Sequence, residues 1–303
     1  MKRAFRLGSG LALLGALLLP TAAMAKVGAD KAAELDGPKL TCVGAERAGT
    51  PSGVAEFTGK WVGKWPGMKG EYGYEPGPYA DEKPKFTITK ANMAQYESML
   101  SEGHKYLLKT FDTYKMNVYP THRFVNFPDE IKAATGKNAT TCEMIGTDIL
   151  DNCKLGFPFP IPKTGAEPVW NHKLKFRGDY AKRYNNQMIV QRNGDFQLTK
   201  IIEDAAFYYG SITKAVPLTK DSGEFLRYLS RTVAPPRLAG TFILVHEKAG
   251  TGEAGRAAWL YTPALKRIRR APTVCCDNPY EGTDGHQFYD QVDMFNGSLE
   301  RFN

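Results

Sequence analysis

The sequence predicts an α+β protein, mostly antiparallel β, in which a long irregular arm and a few helices precede a run of strands. Three observations predict it. Asn193-Gly194 separates Met188-Ile189-Val190-Gln191-Arg192 from Asp195-Phe196-Gln197-Leu198-Thr199-Lys200-Ile201-Ile202, the pattern of a tight type I′ hairpin. A second hairpin joins Ala257-Ala258-Trp259-Leu260-Tyr261 to Arg267-Ile268-Arg269 through Thr262-Pro263-Ala264-Leu265-Lys266. Between them Thr241-Phe242-Ile243-Leu244-Val245 is apolar on both faces, so this strand needs cover on both sides, from a second layer or from a ligand.

Taken in order, the chain opens with Met1-Lys2-Arg3-Ala4-Phe5-Arg6, an apolar run over 11–19 and the small residues Ala23-Met24-Ala25. That order is the signature of a secretory signal peptide with an A-x-A cleavage site. The apolar run is roughly half of the ~20 residues that span a bilayer, which argues against an anchor. Residues 1–25 are therefore read as a signal peptide cleaved after Ala25, Lys26 as the mature start, and the periplasm as the destination. No cysteine directly follows the cleavage site, so no lipid anchor is expected. Losing Lys2, Arg3 and Arg6 lowers the formal charge of +8 by three. The other basic residues are dispersed except in Lys266-Arg267-Ile268-Arg269-Arg270, read first as a solvated strand and turn and second as a patch for anionic lipid. No nucleic-acid partner is expected.

Residues 26–85 are rich in Gly, Pro and Lys with interspersed Trp61, Trp65, Tyr72, Tyr74 and Tyr79, and hold no helical or strand period. They are read as an irregular arm. A helix is expected after Thr89 or Asn92, with Met93, Tyr96, Met99 and Leu100 on one face, and another from His104 to Phe111. Pro128-Asp129-Glu130-Ile131 starts a short helix with proline at its first position. Phe157-Pro158-Phe159-Pro160-Ile161-Pro162 must be extended. The final Phe295-Asn296-Gly297-Ser298-Leu299-Glu300-Arg301-Phe302-Asn303 has the look of a loop leading into another element, so a longer protein is expected.

Five cysteines remain after the leader, and an oxidising compartment favours pairing. Cys142 with Cys153 closes a short polar loop and is the candidate bridge. Adjacent Cys275 and Cys276 are not expected to bridge each other, and an odd count leaves a thiol over.

Sequence support for catalysis is thin. His104, His122, His172, His246 and His286 are far apart and in no ligand spacing. The chain holds no G-x-S-x-G, P-loop or dinucleotide fingerprint. The acidic pairs Glu203-Asp204 and Asp290 with Asp293 read as strand ends and turns before they read as general acid and base. The Asn138-Ala139-Thr140 sequon carries no weight in a bacterial chain. No metal, cofactor or catalytic residue is assigned.

Several strings in one order carry a resemblance: Lys85-Phe86-Thr87-Ile88-Thr89, Asn92-Met93-Ala94-Gln95-Tyr96, Tyr119-Pro120-Thr121-His122-Arg123, the proline-alternating 157–162, Trp170-Asn171-His172, Arg237-Leu238-Ala239-Gly240, Arg269-Arg270-Ala271-Pro272 and Asp293-Met294-Phe295-Asn296-Gly297. Together they resemble the proteobacterial family catalogued as domain of unknown function 1329, over 86–303 and nearly the whole mature chain. The resemblance implies a fold like the LolA and LolB lipoprotein-sorting proteins: a curved, incompletely closed antiparallel β-barrel over helices, with an apolar cavity for acyl chains. It also implies association with a resistance-nodulation-division exporter and an outer-membrane partner, and further C-terminal strands. In such a half-barrel a lipid-like ligand would cover one face of the doubly apolar strand. The candidate ligand-facing set is Trp170, Phe176, Phe242, Leu244, Trp259 and Tyr261, with an ordinary core role open for each. The rival reading is an adaptor that docks on membrane partners and holds no small ligand.

Overall fold

The computed structural model describes residues 26–68, 76–221, 223–250 and 255–302. The leader, and Tyr72 and Tyr74 of the arm, lie outside the described residues. Residues 26–68 and 76–85 carry one helical turn, α1 (Ala29–Ala32), and otherwise turns and extended chain.

A small unit follows. β1 (Phe86–Ile88) pairs antiparallel with β2 (Met116–Val118), and Ile88, Leu100 and Leu108 form its core with Met93 and Tyr96 packed against them. The first expected helix is a 3-10 helix, Met93–Met99. Its start is fixed by Asn92, whose Oδ1 accepts the Thr89 N–H at 2.7 Å. Met99 is exposed and the buried Leu100 lies just past the end. α2 (Glu102–Thr110) is capped by Ser101, whose Oγ accepts the His104 N–H, a side-chain acceptor for an otherwise orphaned donor. α3 spans Asp129–Thr141 with Pro128 at the N-cap, one residue outside its expected place, and is a full thirteen residues.

α3 leads into a hairpin missing from the sequence reading, β3 (Glu143–Ile145) with β4 (Ile149–Asp151). Cys142 and Cys153 flank it and are joined by a disulfide, with Cα atoms 4.5 Å apart. Phe159, in the proline-alternating stretch, is buried without helix. α4 (Ala166–Lys173) then delivers the chain to the main sheet.

That sheet is a six-stranded antiparallel meander, β5 (Tyr180–Val190), β6 (Phe196–Phe207), β7 (Glu224–Ala234), β8 (Phe242–Lys248), β9 (Arg256–Thr262) and β10 (Arg267–Arg270). Each strand neighbours the next, and β5 and β10 remain its two edges, so the sheet is open rather than closed. Two turns differ in instructive ways. At Asn193-Gly194 the observed pairs are Val190↔Phe196 and a Gln191 N–H to Asp195 carbonyl bond of 2.7 Å, one residue off the expected facing. Gly194 has φ +91° and its N–H bonds Gln191, while Asn193 is absent from the positive-φ residues. The loop is therefore the three-residue type I turn with glycine in the bulge position, because a type I′ turn needs positive φ at both central residues. The β9–β10 hairpin joins the expected strands, but Thr262, expected in the loop, ends β9 and faces Arg267.

Strand alternation gives the sheet two faces. Ile201, Ala205, Ile243, Val245, Ala258 and Leu260 are buried on one of them, where Ala271, Val274, Tyr280 and Tyr289 cover them. This inner face is closed by residues 271–302, which hold only two 3-10 turns, Tyr289–Gln291 and Leu299–Arg301. A second core, built around Trp170, Leu150, Phe225, Tyr209 and Leu299, joins α4 and the β3–β4 hairpin to one end of the sheet.

Candidate ligand site

The site is built where α4, the inner sheet face and residues 271–302 meet. Trp170 and Lys173 are three residues apart on α4 and so share a side of the helix. Trp170 is fully buried, donates Nε1–H to the Thr147 carbonyl at 2.6 Å and meets Phe225 edge-on. Lys173 is nine-tenths buried, with Nζ 4.5 Å from the Trp170 ring centroid and donating to the Gly297 carbonyl at 2.8 Å. Burial pulls the Lys173 pKa down against the opposing pull of Glu247, Asp148 and Asp290.

Residues 293–297 are strapped down by cations. Lys175 Nζ and Arg177 Nη1 reach Asp293 Oδ2 at 3.0 and 2.6 Å, the His172 ring donates to the Asp293 carbonyl, and Arg256 Nη2 donates to the Asn296 carbonyl at 2.8 Å. Further on, both Asp148 oxygens accept the first N–H groups of the last 3-10 turn, from Leu299 at 2.9 Å and Glu300 at 2.7 Å.

Two adjoining cavities lie beneath this segment. The larger and more charged, about 280 Å³, sets the polar groups of Asp148, Lys173, Arg256, Asp290 and Ser298 among apolar surface from Ala258, Ala271, Val274 and the disulfide between Cys275 and Cys276. That disulfide overturns the expectation that neighbouring cysteines stay unpaired; Cys42 is the free, buried thiol. The smaller, about 70 Å³, has an apolar wall of Ala205, Phe207, Leu226, Ile243, Val245 and Val292 and is also lined by Arg177, Arg183 and Asp293. Glu247, Arg256, Val274 and Asn296 line both, and the buried ion pair of Arg256 Nε with Glu247 stands between them. At the apolar side Tyr228 donates its hydroxyl to buried Glu203, which also binds Arg183 Nε at 3.1 Å. Burial raises the Tyr228 pKa far above the ordinary phenol value, so it stays a neutral donor. A charged chamber that shares Glu247, Arg256, Val274 and Asn296 with one walled by the apolar sheet face offers both polar groups and apolar surface to an amphiphile.

The sequence-derived candidates divide. Trp170 is core beside Lys173, and Phe176 is half-buried between α4 and β5 and lines neither cavity. Phe242, Leu244, Trp259 and Tyr261 are brought together, as Phe242↔Tyr261 and Leu244↔Trp259, but on the face opposite Ile243, Val245 and both cavities. They are half-buried there. Sequence reasoning missed Lys173, Arg256 and Ser298; the only local hint was a charged pair, Glu247 and Arg256, at facing ends of two apolar strands. Of the acidic pairs, Glu203 faces inward and is buried, Asp293 is ion-paired, and Asp290 lines the polar cavity. Among the described residues no group of three or more His, Cys, Asp or Glu is placed to hold a metal ion, and no helix is long and apolar enough to cross a membrane.

An uncharacterized protein of Pseudomonas aeruginosa, PA3922, is 38% identical over 292 residues, which cover 96% of this chain and 64% of that protein. The chain thus spans less than two thirds of the relative's length. A DUF1329 family protein from Desulfovibrio piger overlaps 41% of this chain and 44% of its own, at 15% identity and a TM-score of 0.28. A domain of Vibrio parahaemolyticus described as an outer membrane lipoprotein-sorting protein overlaps 44% of this chain and 48% of its own, at 19% identity and a TM-score of 0.30. The model of the family described as a protein of unknown function, DUF1329, matches residues 87–303, and the chain belongs to that family.

Proposed function

We propose that this chain is a non-enzymatic periplasmic carrier of a hydrophobic, lipid-like molecule, held between the inner sheet face and residues 271–302. The observation that carries the reading is the apolar cavity bounded by Ala205, Ile243 and Val245 and opening beside a polar one. Its present volume is well under the roughly 300–1,000 Å³ of a full ligand pocket. Loading therefore requires residues 271–302 to lift; apolar packing of Ala271, Val274, Tyr280 and Tyr289 and side-chain hydrogen bonds, rather than strand pairing, hold them. Delivery to a resistance-nodulation-division exporter and an outer-membrane partner belongs to the proposal through the family resemblance.

The test is displacement of a fluorescent fatty acid from the purified chain by unlabelled lipid, with a tryptophan placed on either side of β8. Val245→Trp fills the inner cavity and should abolish binding; Leu244→Trp, on the opposite face, should leave it. Overpacking costs about 1–3 kcal/mol, so the fold of each variant is checked by thermal melting. The reverse pattern would move the ligand to Phe242, Leu244, Trp259 and Tyr261. A specific observation favours the adaptor reading as second: Tyr184, Met188, Val190, Phe196 and Ile268 are exposed large side chains on that opposite face. Absence of lipid binding in every form, with capture of an envelope protein that Tyr184→Asp abolishes, would put the adaptor reading first.

A further inference from the structure

Buried polar groups are satisfied as a rule, and those that are not require an explanation. The polar cavity collects two such groups and a third that is only partly satisfied. Asp290 Oδ1 and Ser298 Oγ are buried with no hydrogen-bond partner among the described residues. Lys173, nine-tenths buried in the same wall, has three ammonium protons, and its one hydrogen bond among the described residues goes to the Gly297 carbonyl. Arg256, by contrast, is committed to Glu247 and Asn296. The cavity thus offers spare donors on Lys173 and spare acceptors on Asp290 and Ser298, with Lys248, Arg270 and Arg301 also in its lining, around about 280 Å³ of space. One molecule satisfies both sets if it carries an anionic oxygen for Lys173 and an N–H or O–H for Asp290 and Ser298.

We infer that the polar cavity is the head-group subsite for a zwitterionic amphiphile, an anionic oxygen meeting Lys173 and an ammonium N–H meeting Asp290. This deepens the carrier reading and rests on it: Glu247, Arg256, Val274 and Asn296 border both cavities, so a head in one places its chain at the mouth of the other. Burial raises the Asp290 pKa against the pull of Arg256 and Arg301 and lowers that of Lys173 against the pull of Glu247 and Asp148, so for each group burial outweighs the opposite charges already nearby, and a direct ionic partner for the carboxylate and one for the ammonium would offset it. A bound zwitterion supplies both.

The experiment compares tetradecylphosphoethanolamine, tetradecylphosphocholine and tetradecanol by calorimetry on the full chain. The first two differ only in three N–H bonds replaced by methyl groups, and the third has no ionic head. The phosphoethanolamine is expected to bind about tenfold tighter than the phosphocholine, the worth of one charged hydrogen bond. Asp290→Asn should erase that preference, and Lys173→Met should bring both phospholipids to the level of tetradecanol. Equal binding of all three probes, unchanged by Lys173→Met, overturns the subsite while leaving the carrier reading intact. Failure of all three chain-bearing probes to bind overturns the carrier reading. In that case phosphoethanolamine alone, titrated at millimolar concentration, still decides the subsite: shifts at Lys173 and Asp290 uphold it, and none means the cavity holds water.

Discussion

The Asp148 carboxylate accepts the Leu299 N–H at 2.9 Å across 151 residues of sequence, and Asp148 is 1% exposed. With the neighbouring bond from Glu300, one buried side chain anchors the last described turn to the β3–β4 hairpin. Asp148→Ala leaves one buried and one part-buried donor without their acceptor and should cost about 2–4 kcal/mol, at roughly 1–3 kcal/mol for the buried group and less for the part-buried one. Urea unfolding gives the total. Hydrogen exchange locates it, with loss of protection expected at 298–302 before the sheet.

Trp170 separates a core role from a ligand role. It is 1% exposed and its indole N–H is committed to Thr147. Trp170→Ala should destabilise by about 3–5 kcal/mol, whereas Trp170→Phe should cost less and leave lipid binding within twofold. A large loss of binding with normal stability would return Trp170 to the ligand.

The thiol inventory is equally specific. Peptide mapping without reductant should recover Cys142 linked to Cys153, and a Cys275-Cys276 peptide lighter by two hydrogens. Cys42 should react with a thiol reagent only after unfolding, since it is 5% exposed and burial raises its pKa. Replacing Cys142 and Cys153 together by serine should cost about 2–3 kcal/mol, as expected for a short closed loop.

Asp290 and Asp293 should respond to acid in opposite senses. Burial alone would raise the Asp293 pKa, but the Lys175 hydrogen bond and the Arg177 charge outweigh it and hold it below the usual value. A lowered folded value means stability present above the unfolded carboxylate pKa and lost as pH falls through the folded one. Asp293→Asn should therefore be destabilising at neutral pH, with the difference from the parent chain vanishing at low pH. The Asp290 pKa is raised by burial, so its ionised form costs stability at neutral pH and the cost disappears as pH falls through that raised value. Asp290→Asn should leave neutral-pH stability unchanged or raise it. Urea midpoints for both variants between pH 3 and 8 test the pair; parallel curves would refute it.

Local sequence determined most of the elements. Short apolar and β-branched runs at Ile201–Ile202, Phe242–Val245 and Ala257–Tyr261 mark strands β6, β8 and β9, and Pro128 marks a helix start, because composition and capping are properties of a few consecutive residues. β7 and α4 escaped notice: Arg227 and Arg231 interrupt the one, and Trp170 gives the other no clear apolar stripe. Asn138 shows the same limit. In sequence it is part of a sequon; in the fold it is 2% exposed and donates to the Leu155 carbonyl at 2.6 Å.

Which face of the meander is covered could not be read locally. Phe242 and Leu244 are as apolar as Ile243 and Val245, so alternation yields two equivalent faces without naming the buried one. The choice falls to residues 271–302, whose irregular chain has no period to read and whose position depends on Asp148, Lys173 and Arg256. The candidate site has the same origin. Lys173 and Gly297 stand 124 residues apart, and only tertiary packing brings them to one cavity wall, because burial and hydrogen-bond satisfaction are decided by what the rest of the chain encloses.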